Sequence, residues 1–250
     1  MMILTSPFLY ALLSVLLVSF VSLIGLATLP LKAERLKKVL LLLVSFAAGA
    51  LLGDVFIHLL PELSEDGFLL SYSFIILGGI GFSFVVEKFI HWRHCHLPTT
   101  KEHTHPVAAM NLIGDGVHNF IDGVIIGASY LVSIPAGLAT TLAVFLHEIP
   151  QEIGDFGVLL HAGYTRKKAL LMNFLLALTS VLGAALVFFI GTLEGIVPFL
   201  IAFAAGNFIY IAGSDLIPEL HKEIGLRSAF YQFIALVVGA LVMVLLLLLE

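Results

Sequence analysis

Five long runs without a single charged residue constrain this chain more than any other feature of its sequence. Each run is long enough to cross about 30 Å of hydrocarbon as an α-helix. The whole chain is 60% apolar and 12% charged, and its mean hydropathy is +1.11. These values exclude a soluble globular protein. The charge-free runs cover residues 8–29, 68–86, 169–193, 195–214 and 229–249.

Three further runs are equally long but carry ionisable residues inside them. Counted with the first five, they predict an all-α membrane protein with eight transmembrane helices in a single domain. The first run lacks a basic start and is too long for a signal-peptide core, so we expect it to remain as a helix. The predicted helices are 8–29, 39–60, 68–90, 107–131, 136–161, 169–193, 195–218 and 229–249.

The twelve basic residues all lie in alternate connections, between helices 1 and 2, 3 and 4, 5 and 6, and 7 and 8. Short loops rich in lysine and arginine stay on the cytoplasmic side of a membrane. We therefore expect both termini on the non-cytoplasmic side. The short chain without tails further suggests the plasma membrane of a prokaryote.

A weak internal repeat relates helices 2 and 7 with a constant offset of 157 residues. The tripeptide at 47–49 matches 204–206, and the tripeptide at 61–63 matches 218–220. Because loop parity makes helix 2 run outward and helix 7 inward, the match predicts inverted three-helix repeats, 1–3 and 6–8, around helices 4 and 5. Chance recurrence of small residues and Pro-Glu ends is the alternative.

Ionisable side chains concentrate at mid-depth in helices 4 and 5. At 3.6 residues per turn, Asp115, His118 and Asp122 share one face of helix 4. Helix 5 carries a second polar stripe, and His118 and Glu148 fall near the midpoints of their runs, so the two stripes should meet at one depth. Glycines on both helices are expected to permit close packing. The remaining residues of the stripes are Asn119, His147, Gln151, Glu152 and Asp155, and the glycines are Gly114, Gly116, Gly123, Gly127, Gly154 and Gly157.

Five carboxylates at this depth would cost on the order of 15 kcal/mol if they faced lipid ionised and unpaired. Neither helix contains a lysine or arginine to neutralise them. A bound divalent cation is the simplest compensation, held by imidazole, carboxylate and amide groups, since the chain has one cysteine. Protonated acids and histidines that only bond the helices together are the alternative.

The segments His118-Asn119-Phe120-Ile121-Asp122-Gly123 and His147-Glu148-Ile149-Pro150-Gln151-Glu152-Ile153-Gly154-Asp155-Phe156 closely resemble the fourth and fifth helix signatures of the ZIP family of zinc and iron permeases. The resemblance covers the whole chain and implies passage of a divalent metal into the cytoplasm through a binuclear site, and a homodimer. It implies one metal position at His118, Asp122, His147 and Gln151, and a second at Asn119 and Glu148, with Asp122 placed to bridge.

Two residues depart from the family pattern. Many relatives have glutamate where this chain has Asp122, and glutamate or histidine where it has Gln151. Glutamine is a weaker, uncharged ligand, so Glu152 could take its place after a small rotation of helix 5, which Pro150 is expected to kink.

Polar residues elsewhere are candidates for a metal route. Asp54 and His58 on helix 2, and Asp215 on helix 7, fall at related places in the repeat, while ordinary helix-end polarity is the alternative. The cytoplasmic loop 91–105 contains half of the histidines together with Cys95, which indicates a capture or sensing tract, or else a solvated loop. The other route candidates are Asp115, Asp155, His161 and Glu219, and the loop histidines are His91, His94, His96, His103 and His105.

Two classes of function fit a metal cluster within a membrane. A transporter needs ligands that release the ion, which the amides Asn119 and Gln151 favour, whereas a membrane-embedded metal-dependent hydrolase would keep a tight three-ligand site beside a base. Helix 5 also resembles the His-Glu-x-x-His pattern of zinc peptidases, but it lacks the second histidine. We therefore predict a transporter and not an enzyme, with zinc, iron, manganese or cobalt as substrate, no organic cofactor and no nucleic-acid partner, working by alternating access.

Overall fold

The computed structural model describes residues 6–28, 33–65, 67–92, 106–191, 195–222 and 225–249, and the regular structure in these residues is entirely helical. It forms eight helices. α1 joins Ser6–Ser19, a 3-10 segment Phe20–Ile24 and Gly25–Thr28; α2 joins Ala33–Asp54, a π segment Val55–Leu59 and Leu60–Glu62; α3 is Leu70–Trp92; α4 is Pro106–Val132; α5 is Ile134–His161; α6 joins Arg166–Ala177 and Thr179–Ile190; α7 joins Ile196–Tyr210, a π segment Ile211–Leu216 and Ile217–Leu220; α8 joins Leu226–Leu246 and a 3-10 segment Leu247–Leu249.

Six of these helices, α1, α2, α3, α6, α7 and α8, are long and apolar enough to cross a membrane. The chain is therefore an all-α, multi-pass membrane protein. α4 and α5 are long enough to cross a membrane, with 27 and 28 residues. Their ionisable and polar residues lower the mean hydropathy of each membrane-length segment within them, so they are not among the six. The six spans coincide with six of the runs predicted from sequence to within three residues at each end, and the count of eight crossings remains a prediction.

α4 and α5 lie at the centre of the bundle. α4 packs on α5, α6 and α7, and α5 also packs on α1 and α2. The main apolar core surrounds this pair and includes Ile125, Ile126, Ala143 and Val144, all nearly inaccessible to solvent. α5 continues through Pro150 without a break in its helical assignment.

Two helix pairs, α2 with α8 and α3 with α7, pack backbone against backbone. A Cβ on Gly49 would lie 1.9 Å from the Leu236 carbonyl oxygen, and a Cβ on Gly206 would lie 2.1 Å from the Ile76 carbonyl oxygen. Gly239 and Gly79 face carbonyls of the partner helix in the same way. Only glycine allows such an approach of two helix backbones. We call the α2–α8 and α3–α7 contacts the glycine seams.

The α2 and α7 sides of the glycine seams and the two π segments follow the same offset. Gly49 and Gly206 are 157 residues apart. The backbone N–H of Leu60 donates to the Val55 carbonyl, and that of Ile217 donates to the Ala212 carbonyl, which is again a shift of 157. The sequence did not reveal either π turn, although a proline follows each one after a single residue.

The two related helices run in opposite directions past each other. Leu41 and Val44, near the beginning of α2, pack in one cluster with Leu216 and Leu220, near the end of α7. The later π segment of α2 instead contacts the first part of α7.

The glycines of α4 and α5 behave differently from one another. A Cβ on Gly123 would lie 1.9 Å from the Ser180 carbonyl oxygen, so this position permits the close α4–α6 contact that the sequence predicted. At Gly154 and Gly157 a Cβ would meet no described atom within 4 Å. Close packing does not explain those two glycines.

Candidate metal centre

A one-residue connection sets α4 and α5 side by side. α4 ends at Val132, and Ser133 has an extended backbone whose hydroxyl accepts a hydrogen bond from the Ala136 N–H at 3.1 Å, which caps α5. His118 and Glu148 are each 15 residues from Ser133, about 22 Å along their helices. The hairpin therefore brings the two polar stripes to the same depth.

Four side chains of this hairpin converge on one point. His147 Nε2 lies 3.1 Å from Asp122 Oδ2 and 3.2 Å from His118 Nε2. Glu148 Oε1 lies 3.3 Å from His118 Nε2 and 3.7 Å from His147 Nε2. All four ligand atoms lie within 4.8 Å of one another, and we call these residues the four-residue cluster.

The spacing within the four-residue cluster suits a tetrahedral metal ion. Two ligands about 2.1 Å from an ion at the tetrahedral angle are about 3.4 Å apart. The five distances between His118, Asp122, His147 and Glu148 run from 3.1 to 3.7 Å. Two imidazoles and two carboxylates also form a donor set that zinc accepts.

A second contact orients one of the histidines. His147 Nδ1 lies 3.2 Å from the Ala143 carbonyl oxygen, so Nδ1 carries the hydrogen and donates it. Nε2 then turns its lone pair to the cluster, which is the orientation of a metal-ligating histidine. The Phe208 ring packs edge to face against His147 with 6.1 Å between centroids.

The other three predicted ligands lie around the four-residue cluster but outside it. Asn119 is buried and donates through Nδ2 to Asp115 Oδ1 at 2.7 Å, which leaves its amide oxygen as the atom to offer. Gln151 lines a cavity beside His118. Glu152 accepts a hydrogen bond from Asn173 Nδ2 of α6 at 2.8 Å.

A cavity of about 400 Å³ leads from the cluster to one end of the molecule. Its walls come from the beginnings of α2 and α4 and from the ends of α3, α5 and α7, which all belong to the side that carries the basic connections. His118 faces it with 19% of its side chain exposed, while Asp122, His147 and Glu148 are about 1% exposed. Carboxylates line its length at Asp115, Asp155, Glu87, Asp215 and Glu219.

The opposite side of the cluster is closed by apolar packing. Leu51 and Val55 of α2 pack with Ile126 of α4, Val144 of α5 and Ala205 of α7, and each is completely buried. The four-residue cluster therefore communicates with the cavity on the basic side and is sealed from the other.

The predicted route residues divide between these two sides. Asp54 is buried on the sealed side, where it accepts a hydrogen bond from Thr140 Oγ1 at 3.1 Å. His58 Nε2 lies 3.0 Å from the Met243 carbonyl oxygen of α8. Asp115, Asp155, Asp215 and Glu219 line the cavity. His94, Cys95, His96, His103 and His105 lie outside the described residues, and His91 and His161 are described only as helical backbone.

Sequence reasoning missed the polar partners that lie within the charge-free runs of α6 and α7. Asn173 of α6 bonds Glu152, and Asn207 of α7 accepts a hydrogen bond from the Ser83 hydroxyl at the cavity wall. Each is an amide within an otherwise apolar run, and that isolation is the signal that could have found them.

Comparison with known proteins gives one consistent result. The profile of the family described as ZIP Zinc transporter matches residues 5–109 and 93–247. Zinc transporter ZIP13 of Pongo abelii is 35% identical over 220 residues, covering 81% of this chain and 65% of that protein. Zinc transporter ZIP13 of Mus musculus is 32% identical over 250 residues, covering 82% of this chain and 69% of that protein. Zinc transporter ZIP6 of Homo sapiens is 47% identical over 119 residues, covering 47% of this chain and 16% of that protein.

The chain thus spans less than two thirds of the length of several relatives, 65% for the Pongo abelii protein and 16% for ZIP6. The relatives named here come from animals, so they lend no support to the prokaryotic source expected from chain length.

Proposed function

Since this chain belongs to the ZIP zinc transporter family, we propose that it carries a divalent metal cation, zinc foremost, across a membrane and into the cytoplasm. The four-residue cluster of His118, Asp122, His147 and Glu148 is the ion site. The observation that carries this proposal is the convergence of four buried donor atoms within 4.8 Å of one another at mid-depth of a membrane protein.

Zinc is the best match to the donors. Two imidazole nitrogens and two carboxylate oxygens at tetrahedral spacing suit zinc, whereas iron(II) and manganese prefer more oxygen ligands and higher coordination. Iron(II), manganese and cobalt remain alternative substrates of the same site. The metal is cargo, and we expect no organic cofactor.

A second metal position beside the first would use groups around the cluster. The Asn119 amide oxygen and Gln151 are the available donors, with Asp122 and Glu148 as carboxylates that the two positions could share. Two amide donors bind weakly, which favours transient occupancy during release into the cavity. We therefore retain the binuclear site as part of the proposal.

Access to the site alternates between the two sides of the membrane. The cavity on the basic side and the apolar seal on the other support a state open to the cytoplasm, with Asp115, Asp155, Asp215, Glu219 and the nearby His161 along the exit. Asp54 and His58 would line the entry after the seal opens. By the distribution of basic residues, both termini face the non-cytoplasmic side.

The flanking helices support an inverted repeat. The π turns and the glycine seams recur at one offset in α2 and α7, and these two helices pass each other in opposite directions. We propose that α1–α3 and α6–α8 are the two repeats, and that α4 and α5 lie between them as two further membrane crossings. These two helices would move with the metal relative to part of the repeats. Among the six spans, α3 and α8 have the smallest share of buried residues, 11% and 17%. Their exposed faces offer area for the expected homodimer.

A membrane-embedded hydrolase is less favoured. All four donor atoms converge on one point. An ion bound there by all four would have no open coordination position for the activated water that such an enzyme requires.

Uptake into liposomes tests the proposal. The purified chain is reconstituted with an internal fluorescent zinc indicator, and Zn²⁺ is added outside. We expect saturable uptake, its loss in Glu148→Ala, and its retention in Thr179→Val, which removes a hydroxyl that donates to the Gly116 carbonyl of α4 and the Leu176 carbonyl of α6. Absence of uptake, together with metal-dependent cleavage of ester or amide substrates, would instead establish the hydrolase.

A further inference from the structure

We propose that Asn173 of α6 is a positioning residue, which holds the Glu152 carboxylate away from the transported ion and leaves the neighbouring Gln151 amide facing the cavity instead. Asn173 would thereby set how tightly the metal is held before release. This inference rests on the proposed function and deepens it.

One α6 side chain holds one α5 residue at two points. Asn173 Nδ2 donates to Glu152 Oε2 at 2.8 Å and lies 3.4 Å from the Glu152 main-chain carbonyl oxygen. Glu152 and Asn173 are both completely buried. Together the two contacts fix the Glu152 side chain and the rotation of α5 at this level.

The rotation decides which of two neighbouring side chains reaches the cavity. Consecutive helical residues point about 100° apart. Gln151 lines the cavity with His118, whereas Glu152 is not among its lining residues. Glu152 is also one turn beyond Glu148, which is a member of the four-residue cluster, so a modest rotation of α5 would bring a third carboxylate toward the ion.

The chemistry gives that rotation a driving force. A buried carboxylate is costly unless a donor or a cation compensates it. Asn173 is the side-chain donor that the described residues supply to Glu152, and Glu152 Oε1 has no hydrogen-bond partner among them. Without Asn173, the nearest remaining compensation is the metal ion in the cluster.

An amide and a carboxylate would treat the ion differently at this point. Glutamine is a neutral, weak ligand, so an ion beside Gln151 leaves readily. A carboxylate adds charge to the site, which tightens binding and slows release. Asn173 therefore favours turnover over affinity.

Equilibrium binding of Zn²⁺ to the purified chain in detergent tests this without requiring transport. We expect Asn173→Ala to lower the Kd for Zn²⁺ by at least about threefold, the scale of one modest hydrogen bond or ligand contact. The double variant Asn173→Ala with Glu152→Gln should lose that gain, because it has no carboxylate to redirect. Asn173→Asp, which keeps the side-chain volume but replaces the donor with a second carboxylate, should act like Asn173→Ala.

The matched control is Thr179→Val, which removes another α6 interhelical hydrogen bond without touching Glu152 and should leave the Kd unchanged. An unchanged or weaker Kd in folded Asn173→Ala and Asn173→Asp would overturn the proposal. So would the same shift in the double variant, since it would not depend on Glu152.

Placement is tested separately with single cysteines after Cys95→Ser. Gln151→Cys should react with a water-soluble thiol reagent from the cavity side, and Glu152→Cys should not. Equal reactivity at the two positions would contradict the orientation of α5. In liposomes, Asn173→Ala should lower both KM and the maximal rate of uptake. Because binding and thiol labelling need no uptake, their results separate a failure of this inference from a failure of the transport proposal.

Discussion

The contact between α4 and α5 and the glycine seams of α2–α8 and α3–α7 solve the problem of helix association in opposite ways. α4 and α5 meet through imidazole nitrogens and carboxylate oxygens 3.1 to 3.3 Å apart, whose lone pairs repel unless a proton or cation lies among them. The glycine seams meet through backbone atoms with no space for a single added carbon.

The difference indicates separate roles, with metal binding at the α4–α5 contact and structural packing at the glycine seams. In the proposed mechanism, the geometry of the α4–α5 contact responds to metal arrival and departure. The close approaches at the glycines involve backbone atoms and no member of the four-residue cluster, so we expect their geometry to be less sensitive to the metal. A mutation in the first should remove function, and a mutation in the second should remove structure.

Breaking the α4–α5 contact at its ligands should have the largest effect. We expect His118→Ala and Glu148→Ala to lower zinc uptake in liposomes by more than about 100-fold, since even the loss of an outer partner to a metal ligand costs up to that factor. Both variants should keep the wild-type thermal unfolding profile in detergent without metal. Wild-type uptake in either variant would show that the ion passes elsewhere.

Breaking a glycine seam should lower stability instead. A Cβ on Gly79 would lie 2.4 Å from the Phe203 carbonyl oxygen, so Gly79→Ala should destabilise the fold by about 1–3 kcal/mol through overpacking. The adjacent Gly78 is the matched control, because a Cβ there meets no described atom within 4 Å. Equal unfolding temperatures for Gly79→Ala and Gly78→Ala would refute the seam.

Thiol labelling sharpens the contrast between the open and sealed sides of the four-residue cluster. With Cys95 replaced, Ile121→Cys at the cavity wall should react with a reagent applied from the cytoplasmic side, and Ile126→Cys in the sealed core should react slowly. Conditions that trap the opposite state should slow labelling of Ile121→Cys and admit reagent from the other side. One-sided labelling that no metal or condition alters would favour a static channel.

The loop 91–105 belongs to neither kind of contact, and changing it should have the smallest effect. Replacing its five histidines and Cys95 together should alter the apparent affinity or regulation of uptake and leave the maximal rate largely intact. Complete loss of uptake would place the loop on the transport path.

The sequence predicted the six apolar spans well because hydrocarbon imposes one length and one polarity on each crossing. It also predicted His118, Asp122, His147 and Glu148 as candidates, since helical periodicity and the short α4–α5 connection fix their depth and face. The assignment of ligands to two metal positions went beyond periodicity and remains a prediction. In our proposal the hydrogen bond from α6 to Glu152 decides which α5 side chain faces the cavity, and sequence spacing within α4 and α5 contains no information about α6.

Glu152 shows that limit most clearly. Its spacing from Glu148 indicates a ligand, yet it bonds Asn173, whose own run offered no charged residue to suggest a partner. Gly154 and Gly157 make a similar point, since glycines in a membrane helix indicate close packing only when another helix is present on that face.

The π turn of α7 has a rotational consequence for the cavity wall. In an unbroken α-helix, the twelve steps from Asn207 to Glu219 would leave the two side chains about 120° apart around the axis. One extra residue in the turn at Ile211–Leu216 reduces that angle to about 20°. Asn207, Ile211, Asp215 and Glu219 all line the cavity as a result. The irregular turn therefore lets one helix keep a single edge of side chains facing the cavity over about three turns.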